Sequence, residues 1–123
     1  MQQGNDGGGI YTPAMIPYTV LRGNYIHESV GKPGGVYLDE GTADVEVTGN
    51  IVHGVPKAMN YNNDHANAWN QNRKGACSEH DNYFDIRPDE PQFPQAAAEA
   101  AGVGRDYDDL LNPECRRPRS ERR

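Results

Sequence analysis

The chain has 123 residues and a formal net charge of −6 at pH 7, and 35% of its residues are hydrophobic. This length allows one domain at most, and the 14 glycines and 9 prolines disfavour a helical bundle and favour short strands joined by turns. Residues 1–111 hold 7 basic and 16 acidic side chains, a balance of −9. We therefore expect no nucleic-acid partner for this part of the chain, because binding to a phosphate backbone depends on basic contacts.

Two short motifs recur at an interval of 26 residues. GGIY at 8–11 returns as GGVY at 34–37, and GNYIH at 23–27 returns as GNIVH at 49–53. Self-similarity at such a period predicts stacked structural units, each of which buries its apolar face against the next.

The repeat predicts three coils, at about 8–32, 33–57 and 58–88, marked by Asn24, Asn50 and Asn82. The third coil has 32 residues between Asn50 and Asn82, so we expect an inserted loop there. An asparagine tolerates left-handed backbone angles, and its amide both donates and accepts. The three asparagines are therefore expected to form a hydrogen-bonded ladder.

Short alternating stretches in each coil predict strands whose inward side chains form columns, because successive residues of a strand face opposite sides. The expected columns are Ile10 with Val36 and Met59, Val20 with Val45, and Ile26 with Val52 and Phe84. The neighbouring tyrosines, such as Tyr11 and Tyr37, are expected on the outer side.

These motifs resemble the right-handed parallel β-helix repeats of the pectate-lyase-like superfamily, over residues 8 to about 88. The resemblance implies an all-β fold, a short right-handed parallel β-helix of about three coils occupying residues 1–88. Full members usually have more coils, so the chain resembles a C-terminal fragment. The superfamily includes polysaccharide lyases, glycoside hydrolases, uronate epimerases and phage tailspikes, and its members are typically secreted or periplasmic.

After the coils, residues 89–111 are interpreted as a Pro-rich linker and a capping helix, with Pro94 at its start and Gly102 at its end. We expect the helix to lie over the open end of the last coil, although a separate binding element is an alternative. The first coil would then be uncapped, and a homodimer through it is possible.

Residues 112–123 are expected to be a disordered basic tail, with five arginines in its last eight residues. Cys77 and Cys115 permit one disulfide and show no metal-ligand spacing. No apolar run approaches the ~18 residues of a membrane span, and no signal-peptide core is visible, so no membrane partner is expected and the localisation stays open.

An acidic cluster follows the first strand of the second and third coils. Asp39 and Glu40 are expected to lie near Asp64 across one or two rungs, where paired carboxyl groups would serve sugar chemistry as acid and base. The alternatives are an ordinary polar turn in which Gly41 has a positive φ, or a Ca²⁺ site, because Ca²⁺ prefers clustered oxygen ligands.

Aromatic residues near this cluster are candidates for substrate binding. Tyr37, Tyr61 and Trp69 would form a platform on which a sugar ring stacks. Trp69 lies in the third coil's insertion among several asparagines, and burial beneath its own loop is the alternative reading.

His27 and His53 each stand three residues after a ladder asparagine, and they are expected one rung apart on the outer surface, with Asp85 at the corresponding place in the third coil. They are further candidates for substrate binding, as acid and base or as ligands of a transition metal. Duplication of the repeat alone would also produce such a column.

The sequence thus predicts a carbohydrate-active protein that acts on or binds an extracellular polysaccharide or oligosaccharide, as a glycoside hydrolase or polysaccharide lyase if it is an enzyme. The alternative is a non-catalytic module that binds glycans or stacks on a second copy, and a truncated remnant without activity is a third possibility.

Overall fold

The structure, a computed structural model, describes residues 6–29, 33–63 and 76–102. Within these ranges the chain forms short strands and one helix, which alternate with tight turns. In chain order they are β1 (Gly7–Thr12), β2 (Met15–Arg22), β3 (Tyr25–His27), β4 (Pro33–Leu38), β5 (Ala43–Thr48), β6 (Ile51–His53), β7 (Met59–Tyr61), β8 (Ser78–His80), β9 (Tyr83–Phe84) and α1 (Gln95–Ala100).

The strands form three parallel sheets, each of which takes one strand from each coil. Sheet 1 has the order β1-β4-β7, sheet 2 has β2-β5-β8 and sheet 3 has β3-β6-β9, and every pairing is parallel. The chain therefore passes three times through the same three sheets. This is a short parallel β-helix, as the 26-residue repeat predicted.

Two of the three predicted side-chain columns are confirmed by the register of the sheets. The aligned residues are Ile10, Val36 and Met59 in sheet 1, and Ile26, Val52 and Phe84 in sheet 3. The core is centred on the second coil, whose Val36, Leu38, Val45 and Val47 are at most 1% exposed. Only the second coil has a neighbour on both sides, so its inward side chains are the ones fully removed from water.

The predicted pairing of Val20 with Val45 is wrong. Val45 lies beside Thr19, while Val20 pairs with Glu46 and is 49% exposed. The register in sheet 2 shifts between Met15 and Thr19 and returns to the 26-residue offset from Thr19 onward. The repeat therefore pairs Val20 with Glu46, and the apolar match to Val45 is one residue away from it.

The asparagine ladder is confirmed. The backbone N and Nδ2 of Asn24 donate to Asn50 Oδ1 at 3.1 and 2.8 Å, and the same two groups of Asn50 donate to Asn82 Oδ1 at 2.9 and 3.0 Å. Asn50 Nδ2 also lies 2.8 Å from the carbonyl of Leu21 and 3.1 Å from that of Thr48. Asn50 is fully buried, so its amide satisfies backbone groups that water does not reach.

The helix forms where the sequence predicted it, but its neighbours differ from those expected. Ala98, Ala101 and Gly102 line an open cavity of about 410 Å³ together with first-coil residues that include Gly9 and Ile26. The helix therefore lies beside the first coil rather than over the end of the last one. It buries none of its residues and has no side-chain N-cap.

No helix in the described ranges has the length and apolar character needed to cross a membrane. The predicted disordered tail at 112–123 lies outside the described residues, as does Cys115, while Cys77 is a half-buried free thiol.

We expect Asn50→Ala to lower the free energy of unfolding by about 2–3 kcal/mol, because it leaves buried donors and carbonyls without partners. Asn24→Ala, at the half-buried end of the same ladder, serves as the matched control and should cost about 1 kcal/mol. Urea unfolding followed by far-ultraviolet circular dichroism measures both. Equal losses for the two variants would contradict the central role of Asn50.

Candidate functional site

The candidate site lies at the turn between β4 and β5. This turn has four residues, Asp39 to Thr42, whereas the corresponding turn of the first coil has only the two between β1 and β2. Gly41 adopts φ 78°, as predicted for a polar turn, and the backbone N of Thr42 donates to the carbonyl of Asp39 at 3.0 Å. The turn also accepts a bond from Ala14 N to Glu40 O at 3.0 Å, so the first coil holds it in place.

Asp39 is surrounded by hydrogen-bond donors. Tyr11 Oη donates to Asp39 Oδ2, and Asn62 Nδ2 donates to Asp39 Oδ1 at 2.7 Å. Partial burial acts to raise the pKa of Asp39, but the bonds from Tyr11, Asn62, the Glu40 backbone and Tyr37 outweigh it and hold the pKa below its ordinary value. Asp39 is therefore an ionised acceptor at neutral pH.

Two tyrosines line this carboxylate. The rings of Tyr11 and Tyr37 meet edge to face, with centroids 5.2 Å apart. The hydrogen bond to Asp39 and burial raise the pKa of Tyr11 to about 12, and burial followed by the charge of Asp39 raises that of Tyr37 to about 12. Both hydroxyls stay protonated and act as donors. Tyr37 is 6% exposed and Tyr11 is 41% exposed, so only Tyr11 presents its ring to a ligand.

An open cavity of about 450 Å³ adjoins the turn. Its lining residues are Tyr11, Pro13, Ala14, Met15, Asp39, Glu40 and Gly41. An exposed aromatic ring, apolar side chains and ionised or polar oxygens thus face one open space. Such a combination suits a ligand that has both apolar faces and hydroxyl donors.

The other predicted site residues have different positions. Tyr61 lies in register with the inward-facing Leu38, and Asn60 occupies the place beside Tyr37. Tyr61 packs against the core and donates through its hydroxyl to Glu79 Oε2 at 2.5 Å. The structure therefore does not bring Tyr61 to the cavity. Asp64 and Trp69 lie outside the described residues, within the third coil's insertion between β7 and β8.

A buried polar column behind the turn has no counterpart in the sequence prediction. Thr42 Oγ1 donates to the carbonyl of Thr12, and Asn63 Nδ2 donates to the carbonyl of Thr42 at 2.8 Å. Asn63 is fully buried, and its Oδ1 has no hydrogen-bond partner among the described residues. The column joins one residue from each coil. Because these residues are unevenly spaced in the sequence, the 26-residue repeat does not predict it.

The predicted histidine column exists in sheet 3, where His27 pairs with His53 and their rings stack with centroids 5.7 Å apart. His53 is only 3% exposed, and its Nε2 lies 2.9 Å from Tyr25 Oη. The ring of Phe93 packs against Tyr25 and His53, with centroids 6.0 Å from that of Tyr25 and 6.1 Å from that of His53. His53 thus faces the chain's own C-terminal segment rather than the cavity.

The charge state of His53 follows from this burial. Desolvation and the neighbouring His27 lower its pKa from the ordinary 6.5, and Glu28, whose Oε1 lies 4.0 Å from His53 Nδ1, only partly opposes them. Nδ1 itself is buried and makes no hydrogen bond within the described residues. Protonation of His53 therefore places a poorly compensated charge inside the fold.

His80 lies on the outer face of sheet 2 and, unlike the buried His53, is exposed and flanked by carboxylates. Its Nδ1 lies 2.8 Å from Asp81 Oδ2 and its Nε2 lies 2.8 Å from Glu46 Oε1. These two bonds raise the pKa of His80. His80 is the last residue of β8, and this triad was not predicted from the sequence.

In the described ranges, no group of three or more His, Cys, Asp or Glu side chains has the arrangement needed to hold a metal ion. Both carboxylate oxygens of Asp39 already accept hydrogen bonds from the protein. The Asp39 turn therefore fits Ca²⁺ poorly, since that ion requires six to eight oxygen ligands.

Comparisons of the chain with known protein families, with curated proteins and with solved structures found no match. The functional evidence therefore comes from the side chains of this molecule alone.

We expect His53 to titrate below pH 6.5 and His80 above it, as followed by the imidazole Cε1–H resonances in NMR. Because the pKa of His53 is depressed by folding, the unfolded chain binds more protons, and this residue destabilises the fold increasingly as pH falls below 6.5. The pKa of His80 is raised by folding, so its stabilising effect is present below pH 6.5 and is lost as pH rises through its folded pKa.

The variant His53→Gln should therefore lose less stability than the unmodified chain between pH 7 and pH 5, as measured by urea midpoints. His80→Gln is the matched control and should lose more over the same interval. A His53 resonance that titrates at a higher pH than that of His80 would contradict both assignments.

Proposed function

We propose that the protein binds a polysaccharide at the open cavity beside the Asp39 turn, and that it is a β-helix protein related to the pectate-lyase-like superfamily. The observation that carries the proposal is the ionised Asp39 carboxylate, held by protein donors next to the exposed ring of Tyr11. Sugar hydroxyls donate to a carboxylate, and the apolar C–H face of a sugar packs on an aromatic ring. Both partners for a sugar are present at one place.

Binding is favoured over hydrolysis by the charge state of Asp39. A glycosidase needs one carboxyl group with a raised pKa to protonate the leaving oxygen and a second, ionised carboxylate. Asp39 has a lowered pKa, so at neutral pH it has no proton to give to a leaving oxygen. Asp39 therefore fits an acceptor role, and a hydrolase or lyase would require its acid from elsewhere in the chain.

The charge around the cavity favours a neutral polysaccharide. Asp39 and Glu40 are the titratable acids that line it, and the whole chain carries −6. A uronate polymer would bring like charges together without a basic partner at the cavity, which is unfavourable. The cavity is open and is lined by the turns of two successive coils, which also suits a long chain more than a single sugar.

We expect Asp39→Asn to weaken binding to a neutral polysaccharide by at least about tenfold, because a hydrogen bond to a charged group contributes about 1.5–3 kcal/mol. Affinity electrophoresis through gels that contain a series of neutral and uronate polysaccharides measures the effect. Asp44→Asn is the matched control, since it removes the same charge from the same coil at an exposed residue outside the cavity, and it should bind as the unmodified chain does.

Equal retardation of the Asp39→Asn variant and the unmodified chain would reject the cavity as the binding site. Product analysis on the same polysaccharides separates binding from catalysis. Release of oligosaccharides by the unmodified chain, abolished in Asp39→Asn, would replace this proposal with the hydrolase or lyase alternative.

A further inference from the structure

The asparagine ladder has a direction. At each step the backbone N and Nδ2 of the earlier asparagine donate to the Oδ1 of the next one, from Asn24 to Asn50 and from Asn50 to Asn82. Within the described ranges, Asn24 Oδ1 accepts no hydrogen bond and the backbone N of Asn82 donates none. Among the described residues, the first coil therefore ends in an unused acceptor and the third coil in an unused donor.

The apolar columns are also incomplete at the two ends of the stack. Val52 is fully buried in the second coil, whereas its column partners Ile26 in the first coil and Phe84 in the third are only half-buried. The column of Val36 behaves alike, with Met59 half-buried in the third coil. Within 6–29, 33–63 and 76–102, each end of the stack therefore presents inward side chains and strand edges without a partner strand, in the register that a further coil would need.

Residues 93–102 lie against the acceptor end, but they hold it loosely. Ala98 and Ala101 face Asn24 and Ile26 across the open cavity of about 410 Å³. The helix is six residues long, has no side-chain N-cap and buries no residue, and so short a helix is marginal by itself. The ring contacts of Phe93 with Tyr25 and His53 are its firmest described attachment.

We propose that the third coil of one copy stacks head to tail on the first coil of a second copy, and that residues 93–102 of the second copy must move aside first. The backbone N of Asn82 would then donate to Asn24 Oδ1 of the next copy, and each of the three sheets would continue across the junction. Because the two surfaces that meet are different, each added copy leaves one surface of each kind exposed, and the assembly grows as an open chain of copies. This assembly is distinct from a symmetric dimer through two first coils, and it does not depend on polysaccharide binding.

The test uses the full chain with Phe93→Ala, which removes the ring contacts that hold the C-terminal segment. Sedimentation velocity over a range of concentrations should show a series of species larger than a dimer, at concentrations where the unmodified chain is at least tenfold less associated. Gln92→Ala is the matched control, since this exposed neighbour of Phe93 makes its side-chain bond to Glu90 of the same segment and should leave the association unchanged. Ala98→Lys, which places a charge against Ile26, is a second way to displace the helix and should also promote association.

The head-to-tail orientation of the copies is tested with a disulfide. The chain carries three substitutions, Phe93→Ala, Cys115→Ser and Thr19→Cys, and is then oxidised. In sheet 2, Thr19 pairs with Val45 and Glu46 pairs with Ser78, so Cys77 follows Val45 in the column that Thr19 begins. Head-to-tail stacking continues this column and brings position 19 of one copy next to Cys77 of another. Neighbouring parallel strands lie ~4.8 Å apart, within disulfide reach, whereas the two thiols of one copy are separated by a whole coil.

A ladder of covalent multimers on a non-reducing gel is expected, whereas Thr19→Ser in the same background should stop at dimers. If the Thr19→Cys chain forms disulfide-linked dimers but no larger species, the head-to-tail arrangement is overturned. Folded, monomeric Phe93→Ala and Ala98→Lys chains at every concentration, with circular dichroism matching the unmodified chain, would overturn the proposal as a whole.

Discussion

The amide of Asn50 is the interaction on which the rest of the structure depends. It lies where no water reaches, joins the first coil to the third, and satisfies the carbonyls of Leu21 and Thr48 in sheet 2. A slip of one strand by a single residue would leave these groups unpaired and would turn inward side chains outward. The ladder thus keeps the coils in register, and that register places Tyr11 against Tyr37 and Asp39.

Much of the architecture was predictable because the repeat carries it directly. A spacing of 26 residues between the first and second coils identified the pairing of β1 with β4 and of β3 with β6, and the ladder bond from Asn24 to Asn50. Sheet 2 was less predictable. The Asp39 turn of the second coil has two residues more than the matching turn of the first coil, and β2 of the first coil has two extra residues between Met15 and Thr19 that restore the register. From Thr19 onward the offset is again 26 residues, so Val20 pairs with Glu46 as the period requires. The match with Val45 failed because it followed the apolar side chains instead of the period.

The candidate site was predictable in part, for the same reason. Asp39, Gly41 and Tyr37 occupy a turn and a strand whose positions follow from the repeat. The supports of Asp39 do not, because Asn62 comes from the coil beyond and Thr42 belongs to a column with uneven spacing. The histidines illustrate a second limit. The repeat predicts that His27 and His53 are neighbours, but it does not predict that Phe93, forty residues after His53, packs against His53.

The pairing pattern also has a kinetic consequence. Every strand pair joins residues separated by about one coil, so the backbone loops closed in folding are all short and nearly equal in length. Closure of the first such loop costs the most entropy, and each later coil is then added to an existing template. The second coil, which alone has two neighbours, is the natural nucleus, and thermal fraying would begin at the outermost rungs.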